Sequence, residues 1–115
     1  MNKSVKILVL IVAILIIAGL TAVLIKKQPT QILFYSDTCP HCKLVEQYIT
    51  DNNVRGYLAF RELEVSTNTS NSQLLGKKAA GCGINGDSIG VPLFFDGQNC
   101  LVGDSDIIKY FASKK

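Results

Sequence analysis

Several features that define other classes of protein are missing from this sequence. Its 115 residues leave room for one domain of ordinary size and not for two. Beyond residue 27 the chain carries eight basic and nine acidic residues without clustering, which excludes a large basic surface for nucleic acid. The low hydrophobicity and high net charge of disordered chains are lacking, as are internal repeats and low-complexity segments. We therefore expect a single small ordered domain, a monomer with no nucleic-acid partner.

Acidic residues are absent from residues 1–27, where four lysines flank a long hydrophobic run. Ile7 to Ile25 holds 19 residues without a charge, and a helix of that length spans roughly 28 Å, close to the thickness of a bilayer core. The alternative is a cleaved signal peptide, but its hydrophobic stretch has roughly 7 to 15 residues, and no convincing small-x-small cleavage site follows. We predict a retained transmembrane helix, with residues 1–27 as the anchor and residues 28–115 as the domain. Lysines at both ends leave the orientation open.

Residues 28–115 alternate between strand-like and helix-like patterns, which predicts an α/β fold. Short apolar runs bounded by turn residues predict strands, and apolar residues three or four apart predict helices. The expected strands are Ile32–Tyr35, Tyr57–Val65, Leu93–Phe95 and Cys100–Val102, and the expected helices begin near Pro40, span Gln73–Ala80 and are capped by Asp104 or Ser105. In this interpretation Ser66–Ser72 is a polar connection, and Gly81 ends the helix that follows it.

Two cysteines stand where the first strand passes into a helix, in the sequence Cys39-Pro40-His41-Cys42. At a helix N-terminus the Cys39 sulfur faces unpaired N–H groups and the positive end of the helix dipole, which favour a thiolate. Two intervening residues place both sulfurs on one helical turn, where they can form a disulfide and exchange it with another protein. His41, the only histidine, can donate a hydrogen bond to the thiolate or stabilise it electrostatically. Stabilising the reduced form makes the disulfide more oxidising.

The alternative use of a Cys-x-x-Cys pair is half of a zinc site. A second pair at similar spacing is absent, and Cys82 and Cys100 lie 18 residues apart. Since there is no further histidine, a tetrahedral site would have to gather all four cysteines from distant elements. A redox pair is therefore favoured over a metal-binding carrier, and no metal site is predicted.

Two further segments complete a pattern with the cysteine pair: Val91-Pro92 before a hairpin, and Val102-Gly103-Asp104-Ser105-Asp106 before the last helix. Together they resemble the thioredoxin superfamily, with glutaredoxin-like proportions, over residues 31 to about 113. The Cys-Pro-His-Cys tetrapeptide resembles that of the Dsb-type extracytoplasmic thiol oxidases. The resemblance implies a thioredoxin-like fold, with a central mixed four-stranded sheet flanked by helices, here preceded by one transmembrane helix.

The resemblance also implies that the bond before Pro92 is cis, that Pro92 packs opposite Cys39 and Cys42, and that Val91 offers its backbone to an extended substrate. Without the resemblance, a trans turn proline is the expectation, because only about 5 to 6% of X-Pro bonds are cis. The chain departs from thioredoxins at Leu33, which stands where they carry a buried acid, six residues before the first cysteine of the pair. That proton acceptor is therefore missing.

Cys82 and Cys100 remain once Cys39 is paired with Cys42, since four cysteines allow three pairings. A bond between them would stabilise the fold by on the order of 3 kcal/mol through loop closure. In an oxidising compartment we favour this structural disulfide, while two separate buried thiols and a second redox pair stay open as alternatives.

These observations predict a membrane-tethered thiol:disulfide oxidoreductase whose domain lies outside the cytoplasm. Cys39 and Cys42 are the expected catalytic pair, with Pro40 and His41 tuning it, and protein thiols are the expected substrates. We expect the disulfide-forming direction; a reductase or isomerase with the same residues and, less favoured, a Cys-x-x-Cys metal-binding carrier are the alternatives. A redox partner in the same membrane would reoxidise the pair, which needs no other cofactor.

Overall fold

The hydrophobic run near the N-terminus forms a single helix, α1, at Lys3–Leu24. The computed structural model describes residues 1–24 and 27–115, so Ile25 and Lys26, at the end of the predicted anchor, lie outside the described residues. Over Lys3–Val23 the helix is long and apolar enough to cross a membrane, and none of this stretch is buried. The predicted helix is thus confirmed, although a signal sequence near the N-terminus meets the same criteria of length and composition.

The rest of the chain folds around one mixed sheet of four short strands. The strands are β1 (Ile32–Tyr35), β2 (Arg61–Glu64), β3 (Leu93–Phe95) and β4 (Cys100–Val102), and the flanking helices are α2 (Pro40–Asp51), α3 (Thr69–Gly81) and α4 (Asp104–Ser113). The order across the sheet is β2-β1-β3-β4; β1 and β2 are parallel, and the β1–β3 and β3–β4 pairs are antiparallel. The predicted α/β fold with a mixed four-stranded sheet and flanking helices is confirmed.

Alternating side chains of the central strands divide the hydrophobic core into two layers, one on each face of the sheet. The layer under α2 and α4 consists of Leu33, Val45, Ile49, Val54, Phe94, Ile107 and Phe111. The layer under α3 consists of Ile32, Phe34, Leu75, Ala79 and Leu93. Because β1 and β3 are covered on both faces, their residues read as continuous apolar runs rather than as an alternation.

The second strand is shorter than its sequence pattern predicts. Tyr57–Val65 is the expected strand, but only Arg61–Glu64 pairs, because β1 offers four partners and no more. The residues before it form a 3₁₀ turn at Val54–Gly56 and an irregular segment. Four apolar side chains of Tyr57–Val65 nevertheless contact the core: Leu58 and Phe60 pack in the α2/α4 layer, and Leu63 and Val65 pack in the α3 layer.

Helix α3 begins before the predicted start at Gln73. The stretch Ser66–Ser72 is not wholly a connection, because its second half is the first turn of the helix. Asn68 is the N-cap, and its side-chain oxygen accepts a hydrogen bond from the N–H of Asn71 at 3.0 Å. That first turn is mostly polar and exposed, so the apolar periodicity that predicts a helix could not reveal it.

Helix α3 also ends later than predicted. Gly81 is its last helical residue, and the chain reverses at Gly83, whose φ is +79°. The N–H of Ile84 bonds to the carbonyl of Ala79 at 2.9 Å, which completes a Schellman motif. The left-handed residue that ends the helix is therefore Gly83 and not Gly81.

Helix α4 has a different N-cap from the predicted one. Asp104 and Ser105 are the expected caps, but the cap residue is Gly103, with a φ of +89° and no capping side chain. Asp104 is already the first helical residue. The sharp turn out of β4 needs a positive φ, which favours glycine over the polar residues that usually cap helices.

Cys82 and Cys100 form a disulfide with an S–S distance of 2.06 Å. Cys82 is the C-cap of α3, and Cys100 is the first residue of β4. The bond ties the end of the helix that covers one face to a strand at the edge of the sheet. It therefore braces the outer side of the α3 layer.

Two leucines test the packing of α3 against the sheet. Leu75 on α3 is 6% exposed, whereas Leu44 on α2 is 49% exposed. We expect Leu75→Ala to lower the free energy of unfolding by about 2 to 4 kcal/mol and Leu44→Ala by less than about 1 kcal/mol. All four tyrosines lie in the domain and tryptophan is absent, so tyrosine fluorescence during guanidinium unfolding of the full chain in mild detergent measures both values. Equal losses would contradict the packing.

Removal of the disulfide tests its contribution to stability. Replacing Cys82 and Cys100 together by alanine is expected to lower the free energy of unfolding by about 3 kcal/mol, because the unfolded chain loses a cross-link. The same fluorescence measurement detects the loss. A control variant with Cys39→Ser and Cys42→Ser retains the bond, so after denaturation without reductant it should show no free thiol by mass spectrometry. Two free thiols in that control would contradict the pairing.

Candidate functional site

Strand β1 passes into α2 through a tight turn that sets Cys39 at the helix N-cap. The buried Ser36 closes the turn: its carbonyl accepts the N–H of Cys39 at 3.2 Å, and its hydroxyl lies 3.1 Å from that of Thr38. The Cys39 sulfur accepts the N–H of Cys42 at 3.3 Å, in the manner of a capping side chain. Pro40 is the first helical residue, where a missing N–H costs nothing. A sulfur therefore caps this helix, in agreement with the predicted position of Cys39 at its N-terminus.

The two thiols of this close pair have different surroundings. Cys39 is partly exposed, whereas Cys42 is only 5% exposed. Burial raises the pKa of the Cys42 thiol to about 12, and the neighbouring Cys39 thiol adds to the increase. At neutral pH the site therefore combines an accessible sulfur with a buried thiol that stays protonated.

The loop before β3 brings Val91 against Cys39, although more than fifty residues separate the two in the chain. The Val91–Pro92 bond is cis, as the sequence resemblance implies, and the Pro92 side chain is fully buried. The Cys39 thiol donates a hydrogen bond to the carbonyl of Val91, with an S···O distance of 3.6 Å. The sheet register explains the approach: Phe34 is opposite Leu93, so the residues before Leu93 lie beside the end of β1.

His41 makes its hydrogen bond away from the cysteine pair. Its Nδ1 lies 3.0 Å from Oδ1 of Asp104, the first residue of α4. The sequence predicts that His41 acts on the Cys39 thiolate, but the structure gives the sulfur of Cys39 other partners. Sequence reasoning missed Asp104 as a neighbour of the motif. The sequence carries no signal for this contact, because it depends on the packing of α4 beside α2.

A pocket of about 390 Å³ opens beside Cys42. Leu33 of β1 contributes a hydrocarbon wall, and the charged side chains of Lys43, Glu46, Arg55 and Glu62 are part of the lining. Glu62 is the register partner of Leu33 on β2. No pattern in the sequence predicts this pocket, because β1, α2, the 3₁₀ turn and β2 all contribute to its lining.

Arg55 joins the two glutamates of that pocket. Its guanidinium lies 2.9 Å from a carboxylate oxygen of Glu46 and 2.7 Å from one of Glu62. Its Nε makes a second bond to Glu62 at 2.8 Å, so that contact is bidentate. Glu62 and then Glu46 raise the pKa of Arg55 above its usual range. The Arg55 charge is thus largely compensated, and the partly exposed pairs add little stability.

No family model matches the chain, and no curated protein matches it. Across residues 1–24 and 27–115, no group of three or more His, Cys, Asp or Glu side chains is arranged to hold a metal ion. The geometry around Cys39 and Cys42 is therefore the feature of the chain that indicates its chemistry.

The difference in burial predicts that alkylation distinguishes the two thiols. At pH 8 the buried Cys42 thiol stays protonated, because its raised pKa lies well above that pH and only the thiolate is the reactive form. Iodoacetamide at pH 8 should therefore modify the reduced native protein once, at Cys39, as peptide mass spectrometry can determine. The Cys39→Ser variant should stay unmodified until it is denatured. Equal labelling of both cysteines in the native protein would contradict the assignment.

Proposed function

We propose that this chain is a membrane-tethered thiol:disulfide oxidoreductase with a thioredoxin-like domain. One arrangement carries the proposal. The accessible Cys39 lies at a helix N-cap, and the buried Cys42 lies one turn further on. The carbonyl of Val91, in a loop with a cis-proline, contacts the sulfur of Cys39. Reversible exchange of a disulfide between two proteins needs one sulfur that a partner can reach and a second that can close on it.

In the proposed reaction, the oxidised protein accepts two electrons from a substrate dithiol. A substrate thiolate attacks Sγ of Cys39, the Cys39–Cys42 bond breaks, and Cys42 leaves with the electron pair and takes up a proton. The second substrate thiolate then attacks the substrate sulfur of the mixed disulfide, and Cys39 leaves as a thiolate. The substrate then holds a disulfide, and the protein holds two reduced cysteines. In the reverse direction Cys39 attacks and Cys42 resolves.

The disulfide-forming direction is favoured by the surroundings of Cys39. The N–H of Cys42 and the N-terminus of α2 both stabilise a negative sulfur at that position. Stabilising the reduced state raises the reduction potential of the disulfide. A reductase or isomerase would use the same residues at a lower potential, so the potential itself distinguishes the two directions.

Protein thiols in extended segments are the substrates that fit this site. Val91 offers a backbone carbonyl next to Cys39, and an extended chain can pair with backbone groups at such a place. The pair needs no further cofactor, because its own disulfide carries the electrons. Nothing in this reaction requires more than one copy of the chain, so the protein acts as a monomer.

The helix α1 supports the membrane part of the proposal. It anchors the chain through the apolar residues 7–25, of which the structure describes all but the last as helix. The domain lies outside the cytoplasm, where the Cys82–Cys100 disulfide is expected to persist. A redox partner in the same membrane then reoxidises Cys39 and Cys42 after each cycle.

A glutathione redox titration of the full chain in mild detergent tests the direction of electron flow. We expect a reduction potential well above the value of about −270 mV that thioredoxin has, toward the value of about −120 mV of a strong thiol oxidase. A potential near that of thioredoxin would overturn the oxidase assignment and leave the reductase. The Cys82→Ala, Cys100→Ala double variant is the control, and its potential should stay close to that of the wild type.

Single replacements test the assigned roles of the two cysteines. Cys39→Ser should abolish turnover of a disulfide substrate, whereas Cys42→Ser should accumulate a mixed disulfide at Cys39 that peptide mass spectrometry detects. Full turnover by Cys39→Ser would contradict the proposal. So would tight, stoichiometric zinc or copper binding by the reduced protein without any thiol exchange, which would identify a metal carrier.

A further inference from the structure

His41 is bonded to an acidic residue that the proposed reaction does not use. Nδ1 of His41 lies 3.0 Å from Oδ1 of Asp104, and the two side chains are 69% and 29% exposed. Because a carboxylate can only accept a hydrogen bond, Nδ1 carries the proton in this pair. The contact joins the N-terminal turn of α2 to that of α4.

This bond gives the imidazole a partner other than Cys39. The Cys39 sulfur has polar contacts with the N–H of Cys42 and with the carbonyl of Val91, whereas His41 pairs with Asp104. A protonated imidazole beside a carboxylate also has its charge partly compensated, so it attracts a nearby thiolate less. Both effects deprive the reduced state of a stabilising interaction.

We propose that Asp104 is a positioning residue that sets the redox equilibrium of the Cys39–Cys42 pair by holding His41 away from Cys39. This inference rests on the proposed thiol–disulfide function. With Asp104 in place, the reduced pair lacks the stabilisation that His41 can give, and the disulfide is a weaker oxidant. Without Asp104, the imidazole turns to the Cys39 thiolate, and the disulfide becomes a stronger one.

The equilibrium to be measured balances as a two-electron exchange. The oxidised protein and two glutathione thiols give the reduced protein and one glutathione disulfide. The Cys39–Cys42 bond breaks, one S–S bond forms between the glutathiones, and two protons and two electrons pass to the protein. The equilibrium constant of this exchange reports how well the reduced pair is stabilised.

Asp104→Asn is the first variant, measured in the full chain in mild detergent. We expect its equilibrium constant to rise about fivefold, which is about 20 mV for a two-electron couple. Asp106→Asn is the matched control, because Asp106 lies in the same first turn of α4 and contributes the same charge to the helix N-terminus. Its equilibrium constant should stay at the wild-type value. A fall or no change in Asp104→Asn, or an equal rise in the control, would overturn the inference.

The same Asp104 substitution in a chain that lacks His41 distinguishes a positioning role of Asp104 from a merely structural one. In a His41→Ala chain, Asp104→Asn should leave the equilibrium constant unchanged, because the residue through which Asp104 acts is gone. The same fivefold rise in that background would refute the proposal. If the wild-type pair does not equilibrate with glutathione at all, the proposed function itself fails. If the wild-type pair does equilibrate, and Asp104→Asn and Asp106→Asn have the same equilibrium constant, only the proposed role of Asp104 fails.

The tautomer of the His41 imidazole can be measured in the wild-type chain, so this test does not depend on whether a variant folds. His41 is the only histidine, so its ring ¹⁵N signals in the full wild-type chain are unambiguous. In alkaline solution, where imidazole is neutral, the bond to Asp104 should hold the proton on Nδ1. A predominance of the Nε2–H tautomer there would refute the pairing on which the inference depends.

Discussion

The short strand β1 constrains most of the molecule, because it is paired on both edges and covered on both faces. Its four residues fix the register of β2 on one side and of β3 on the other. Its alternate side chains take part in both core layers, Leu33 beneath α2 and α4 and Phe34 beneath α3. Where the strand ends, the chain turns into α2 within four residues. The cysteine pair is therefore attached to the most constrained part of the core.

Three connections meet at one end of the strands of this sheet, and the candidate site lies where they meet. The β1–α2 turn supplies Cys39, the loop entering β3 supplies Val91, and the β4–α4 turn supplies Asp104. Backbone bonds hold these junctions together: the N–H of Gly103, for example, bonds to the carbonyl of Pro92 at 3.0 Å. Because the positions are set by backbone pairing, the arrangement does not depend on any single surface side chain.

Local patterns in the sequence were sufficient for much of the fold. The strands at Ile32–Tyr35, Leu93–Phe95 and Cys100–Val102 were predicted with the bounds they have, since turn residues delimit each apolar run. The start of α3 was missed because a capping Asn68 and a polar first turn carry no apolar period. The length of β2 was overestimated because it is limited by the strand it pairs with, which no pattern within Tyr57–Val65 can express.

The cysteine pair itself was visible in the sequence, because its spacing and its position before a helix are local features. Its surroundings were not visible. The His41–Asp104 contact and the Arg55 ion pairs join residues that only the packed helices and strands bring together. Residue types near Cys39 suggested that His41 acts on the thiolate, whereas the competition between two partners for one imidazole depends on the position of α4. The chemical type of the site was thus predictable, and its tuning was not.

The unequal burial of the two sulfurs gives them different roles in the proposed reaction. When a substrate attacks Cys39, the leaving Cys42 sulfur ends as a protonated thiol at neutral pH, because burial raises its pKa. The reverse step needs that buried thiol to ionise, and Arg55, a cation of the adjoining pocket, is already bound to Glu46 and Glu62. Leu33 offers no proton acceptor on the strand side. The different roles of the two sulfurs therefore arise from the burial of α2 against the sheet rather than from the Cys-x-x-Cys spacing.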